Sequence, residues 1–241
     1  REQPTGDFSI GVGYSSLNQA NFTLGINEKN FLGTGRRLKL AFSTSGEDTD
    51  FTIGLTEPYF MERELSGSFD IFTRKDKSGD STVNETGLSF GVGFAAARDV
   101  FHKLRYDLSK SKTSTSSTTA TSETGEEGKA LRGSSVAYTL SKDSRDSRFD
   151  PTEGYFLELD ETFSGLGGDV KFLRTKVSAA YYKPLLFKSV IVGLSGEVGH
   201  ISGLGDKVTQ SKRFYLGGRT IRGFDGAGIG PRDAGSGDSV G

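Results

Sequence analysis

Apolar residues return at every second position in stretch after stretch of this chain. Asp7 to Ser15 sets Phe8, Ile10, Val12 and Tyr14 on one face and Ser9, Gly11 and Gly13 on the other. Phe22, Leu24 and Ile26 repeat the pattern, as do Leu38, Leu40 and Phe42, then Phe51, Ile53 and Leu55, then Leu65, Phe69 and Ile71. Leu88 to Phe94, Leu104 to Leu108, Val136 to Leu140, Tyr155 to Leu159, Leu173 to Tyr181 and Val190 to Val198 complete the set. A period of two marks a strand with one apolar and one polar face, so the pattern predicts about eleven strands. No amphipathic helix is read between them.

The second face is small or charged. Ser89, Gly91, Gly93 and Ala95 form it in one stretch, Lys103, Arg105 and Asp107 in the next, and Glu158, Asp160, Arg174 and Lys176 later. The apolar face is nearly free of charge, as a lipid-facing surface must be: a lysine or arginine there costs roughly 2–4 kcal/mol at mid-membrane. Glu161 breaks the rule near a strand end, at an interface or beside a bulge. With 34 glycines, 18 phenylalanines and 8 tyrosines in a chain only 33% hydrophobic, the composition suits a transmembrane barrel. Taken alone, it suits a soluble all-β sandwich equally. A net charge of −1 provides no basic stripe, so no nucleic-acid partner is expected. No run reaches the ~18 apolar residues of a spanning helix.

The connections separate barrel from sandwich. One set is compact, with proline, aromatic and charged residues: Asn27 to Gly35, Thr56 to Glu64, Arg98 to Lys103, Asp143 to Gly154 and Pro184 to Ser189. The alternate set is polar and holds the longest excursions: Gly46 to Asp50, Lys75 to Glu85, Ser111 to Lys129 and Ser164 to Asp169. An up-and-down barrel has this asymmetry, with short turns inside the envelope and longer loops outside. The low-complexity run Ser111 to Gly128 reads as a disordered external loop. The expected fold is therefore all-β, an antiparallel up-and-down transmembrane β-barrel.

No catalytic constellation emerges. His102 and His200 fall at a turn and at a strand end, and there is no cysteine, so no metal site and no cofactor are expected. Gly226-Ala227-Gly228-Ile229-Gly230 lacks both the following helix and the lysine of a phosphate loop. The chain is not expected to be an enzyme.

The stretch Arg213 to Asp233, RFYLGGRTIRGFDGAGIGPRD, is glycine-rich yet carries Phe214, Tyr215, Leu216, Ile221 and Phe224. Such a backbone is free to take positive φ, while those side chains want burial. A long loop folded into a cavity reconciles the two. Ile221-Arg222-Gly223-Phe224, with Phe214-Tyr215-Leu216-Gly217-Gly218 before it and Gly228-Ile229-Gly230-Pro231 after it, resembles the signature loop of the BamA family of outer-membrane assembly factors. Asn30 to Gly35, Glu57-Pro58-Tyr59-Phe60 and Asp146 to Tyr155 resemble family turn motifs in the same order.

The resemblance implies a protein of the bacterial outer membrane that assembles and inserts β-barrel proteins without ATP. It implies a loop at 202–238 locked into the lumen through Arg222, Gly223 and Phe224, with Ile221, Gly217 and Gly218 around them, against acidic and aromatic residues of later strands. It also implies a lateral seam at the first strand (Phe8, Ser9, Ile10, Gly11, Val12, Gly13 and Tyr14). The partners implied are nascent outer-membrane β-barrel proteins, assembly-complex lipoproteins acting mainly through periplasmic domains, and the lipid bilayer. A family barrel has about sixteen strands, an even count as in other outer-membrane barrels. Residues 7–241 are thus expected to be the N-terminal portion of such a barrel, after a linker end at 1–6. A polypeptide exporter of the same superfamily and a passive porin-like channel are the alternative functions.

Overall fold

The computed structural model describes residues 5–15, 19–46, 48–78, 81–115, 128–185, 190–205, 207–209, 212–217, 220–221, 223–224, 227–232 and 239. Eleven strands follow in chain order: β1 Gly6–Ser15, β2 Gln19–Phe31, β3 Arg36–Thr44, β4 Thr49–Glu57, β5 Ser66–Ser78, β6 Ser81–Ala97, β7 Val100–Thr115, β8 Ala130–Asp143, β9 Gly154–Ser164, β10 Phe172–Leu185 and β11 Val190–Gly203. They form one sheet in which each strand is bonded to its neighbours in sequence, from β1 to β11. Every pairing is antiparallel. This is the meander of an up-and-down barrel wall, with β1 and β11 as its edges.

Register sorts the two faces. Ile53, Ile71, Leu88 and Leu108 are successive cross-strand partners on β4 to β7. One residue along, Gly54, Asp70, Ser89 and Asp107 form the corresponding row on the opposite face. In a sandwich the apolar rows would be covered by a second sheet. Here they lie open: Leu194 is 66% exposed and Val198 73%. Only Phe72, Leu131, Val170 and Phe172 are buried hydrophobics among the described residues. A sheet with an uncovered apolar face and a polar opposite face is a membrane wall with a wet lumen.

Several strand ends differ from those read in the sequence. Lys75 to Glu85 is no excursion: β5 and β6 pair without a break from Lys75↔Asn84 to Ser78↔Ser81. Ser111 to Thr115, read as the start of a disordered loop, belongs to β7. Residues 116–127 of that loop lie outside the described residues. Polar alternation beyond the membrane keeps pairing as strand, and nothing in its composition separates it from loop. β6 and β7 are 17 and 16 residues long, against the ~9–11 a tilted strand needs to cross. Their excess projects beyond the bilayer at the loop-bearing end.

His102 lies within β7, not at a turn. It stacks on Phe94 with ring centroids 4.9 Å apart, and its Nδ1 is 2.7 Å from the Tyr138 hydroxyl. Glu161 sits on the apolar face in uninterrupted register between Tyr138 and Thr175. Thr175 donates its hydroxyl to Glu161 Oε2 at 2.7 Å. No bulge is involved; the carboxylate stands three residues from the end of β9.

Candidate functional site

Two features of the wall match the residues singled out in the sequence: the edge strand β1 and the glycine-rich loop after β11. β1 pairs with β2 from Gly6↔Glu28 to Ser15↔Gln19 and has no other strand partner among the described residues. Its outer face carries Phe8, Ile10, Val12 and Tyr14, 60–81% exposed. Its lumen face is almost bare. Gly11 lies opposite Thr23, Gly13 opposite Asn21, and Ser9 opposite Gly25. Two side-chain bonds across this pair are long: Ser9 Oγ donates to the Gly25 carbonyl at 3.4 Å, and Thr23 Oγ1 to the Gly11 carbonyl at 3.5 Å. The ion pair of Asp7 with Lys29, at 3.0 Å, is solvent-exposed and worth little. The strand is thus held mainly by its backbone ladder, on one side.

The loop is seated by contacts that the sequence did not announce. Lys212 Nζ lies 2.7 Å from Glu85 Oε1 on β6. Phe214 lies against Gly199 of β11: a Cβ added there would fall 2.5 Å from Phe214 Cζ. Gly199 belongs to the lumen face, so the ring enters the lumen. Beyond it, Leu216 and Ile229 form an antiparallel bridge, with Ile229 N–H donating to the Leu216 carbonyl at 3.1 Å. Gly217 is buried with φ +123° and starts a turn closed by Thr220, whose Oγ1 accepts from Gly217 N–H at 2.9 Å.

Of the six residues read as a lock, Gly217, Ile221, Gly223 and Phe224 are described. Gly218 and Arg222 lie outside the described residues. Ile221 is 38% exposed and Phe224 52%; Gly223 has φ +93°. Lys212 and Phe214 anchor the described loop to the wall, together with Val208, which packs against the buried cluster of Leu131, Val170 and Phe172.

Phe214 also roofs a luminal cavity of about 350 Å³ against β7 to β11. Lys103, Arg105, Arg174 and Lys176 line it with Asp160 and Glu197, so cations outnumber anions. Lys176 Nζ pairs with Glu197 Oε2 at 3.0 Å, and Thr139 donates to Asp160 Oδ1 at 2.7 Å. Arg105 Nε donates to Asp107 Oδ2 at 2.9 Å, and the Ser89 hydroxyl donates to the other oxygen of that carboxylate.

The compact turns are built by side chains that accept backbone N–H groups. Asn30 Oδ1 accepts from Gly35 N–H at 2.7 Å. Asp146 Oδ1 accepts from Ser147, Thr152 and Glu153 N–H at 2.9–3.2 Å. Those bonds and the Thr152 hydroxyl hold its carboxyl down at about 2. Gly154 follows with φ +107°, where a side chain would run into the Ser144 carbonyl. Glu57 pairs with Arg36 at 2.8 Å.

Comparison with known proteins agrees with this architecture. The Omp85 superfamily domain matches residues 30–241. The chain is 28% identical over 245 residues to "Outer membrane protein assembly factor BamA" of Neorickettsia risticii, covering 100% of this chain and 33% of that protein. It is 31% identical over 251 residues to the protein of the same name from Nitratidesulfovibrio vulgaris, covering 100% and 31%. It is 28% identical over 237 residues to "Sorting and assembly machinery component 50 homolog" of Homo sapiens, covering 96% and 49%. The chain thus spans about a third to a half of these relatives. A crystal structure of BamA from Haemophilus ducreyi lacking POTRA domains 1–3 shares the fold, with TM-score 0.86 at 22% identity over 96% of this chain and 48% of that one. The antiparallel wall, its lipid-facing apolar rows and the match to the superfamily domain make this chain a member of the Omp85 superfamily, an integral β-barrel segment of the outer membrane.

Proposed function

We propose that this chain is the wall of a β-barrel assembly factor and that β1 is the edge on which substrate strands dock. The observation that carries the reading is the thinly dressed lumen face of β1, where Gly11 stands opposite Thr23 and Gly13 opposite Asn21. The names of the relatives, assembly factors of outer membranes, support the general role. An incoming strand adds to such an edge by β-augmentation, through main-chain hydrogen bonds that are indifferent to substrate sequence. Gly11 and Gly13 weaken the strand by roughly 0.5–1 kcal/mol each relative to alanine, which favours an edge that opens and recloses.

The role is not enzymatic and uses no nucleotide. An unpaired backbone polar group in hydrocarbon costs several kcal/mol, so a substrate strand gains free energy simply by pairing. Nascent outer-membrane β-barrel proteins are the substrates in this reading. The bilayer surrounds the seam, and lipoproteins of an assembly complex bind mainly through periplasmic domains. The loop with Ile221, Arg222, Gly223 and Phe224 braces the lumen behind the seam.

Site-specific crosslinking in the full-length protein tests this. Gly11→Cys is paired with cysteines in the terminal strands of a nascent barrel substrate. Crosslinks that rise during assembly and then vanish are expected. Crosslinks only to the protein's own closing strand would mean a seam that stays shut, and would favour an exporter or a passive channel.

A further inference from the structure

The outer face of β5 to β8 changes character abruptly toward the loop-bearing end. Ile71, Leu88 and Leu108 form the last apolar row of cross-strand partners there. The next row outward on the same face is Thr73, Thr86, Lys110 and Arg132. The row after that is Lys75, Asn84, Lys112 and Ala130, and Lys77 follows opposite Thr82. Five cations therefore ring the top of the apolar wall, and these rows carry no carboxylate. The acids of the same segments, Asp76 and Glu85, alternate onto the lumen face.

Lys110 and Arg132 are directly opposite each other, both exposed. Like charges so placed repel, and neither has an ion-pair partner among the described residues. The Asp169 carboxylate is engaged with the Arg132 backbone N–H at 2.9 Å. The loop after β9 lies back along this face: Gly165 N–H donates to the Ser134 carbonyl at 3.1 Å, and Asp169 N–H to the Arg132 carbonyl at 2.8 Å. Between loop and wall is a groove of about 550 Å³, lined by Ile71, Leu88, Leu108 and Leu166 below and by Lys110 and Arg132 above.

We propose that this groove binds a phosphate-bearing lipid of the outer leaflet, its phosphate between Lys110 and Arg132 and an acyl chain along Ile71, Leu88 and Leu108. Charge complementarity selects the head: a phosphate relieves the cation pair through charge-assisted bonds, and guanidinium suits it by geometry. The apolar floor, continuous with the lipid-facing wall, selects an acylated ligand over a soluble anion. The site depends on the membrane orientation of the wall and not on the assembly role.

Native mass spectrometry of the full-length protein from nanodiscs containing dioleoyl phosphatidic acid or dioleoyl phosphatidylcholine tests the site. Wild type is expected to retain phosphatidic acid in preference, and Lys110→Gln with Arg132→Gln to lose at least fivefold of that retention. Lys183→Gln, at the other end of β10, is the control and should keep it. Equal retention by the double variant, equal loss in the control, or no preference between lipids would overturn the proposal. So would displacement of the lipid by inorganic phosphate alone at low millimolar concentration. If the double variant does not fold, a bimane on Thr86→Cys serves instead. Spin-labelled phosphatidic acid should quench it about threefold more than spin-labelled phosphatidylcholine, and equal quenching would overturn the site.

Discussion

The ring of Phe214 occupies the space that a side chain at residue 199 would fill, so Gly199 and Phe214 are a matched pair joining the glycine-rich loop to β11. The fit is against a rigid aromatic, which cannot bend aside as a flexible chain end can.

Gly199→Val should therefore unseat the loop. Overpacking of this kind costs about 1–3 kcal/mol. The expected result is a lower unfolding temperature on heat-modifiability gels and faster proteolysis after residue 205. Gly196→Val serves as comparison, because nothing lies within 4 Å of a Cβ there. Equal behaviour of the two variants would show that the ring does not hold the loop.

The second anchor is ionic. Lys212 and Glu85 are 22% and 17% exposed at the side chain, so solvent replaces a lost partner poorly. Lys212→Met should cost about 1.5–3 kcal/mol, the range for a hydrogen bond to a charged group. Adding Glu85→Gln should restore part of it. A double-mutant cycle reads the coupling, and an additive cycle would mean the pair contributes nothing.

Acid should loosen the turn built on Asp146. Its carboxyl is held at about 2, against an ordinary 3.8. A depressed carboxylate contributes stability that is fully present above the ordinary value and is lost as pH falls through the folded one. The turn should thus stay ordered down to about pH 4 and weaken between about 4 and 2. Asp146→Asn should be weakened at every pH. Amide exchange of Thr152 and Glu153 measured across that window would show it, and a flat profile would contradict it.

Arg222 carries the lumen-lock proposal. A luminal guanidinium must be paired, and removing it strands its partner at a cost of roughly 3–5 kcal/mol. Arg222→Ala should lower heat stability and fail to complement a depletion strain, while surface electrostatics stay unchanged. Normal heat stability with normal complementation would dispose of the lock.

Period-two alternation was enough to find all eleven strands and their faces, because burial in lipid demands that every second residue be apolar wherever the wall crosses the membrane. The same rule falls silent beyond the bilayer. Lys75 to Ser78, Ser81 to Glu85 and Ser111 to Thr115 are strand, yet almost wholly polar, so their composition is that of a loop. The glycine-rich loop was legible as something folded inward, since Phe214 needs cover. Which wall glycine receives it was not, because a bare lumen position has no side chain to advertise its partner. Neither was the opposition of Lys110 to Arg132, nor the placing of Glu161 against Thr175. Those neighbours are set by cross-strand register, and register is decided by the pairing of whole strands, not by any residue alone.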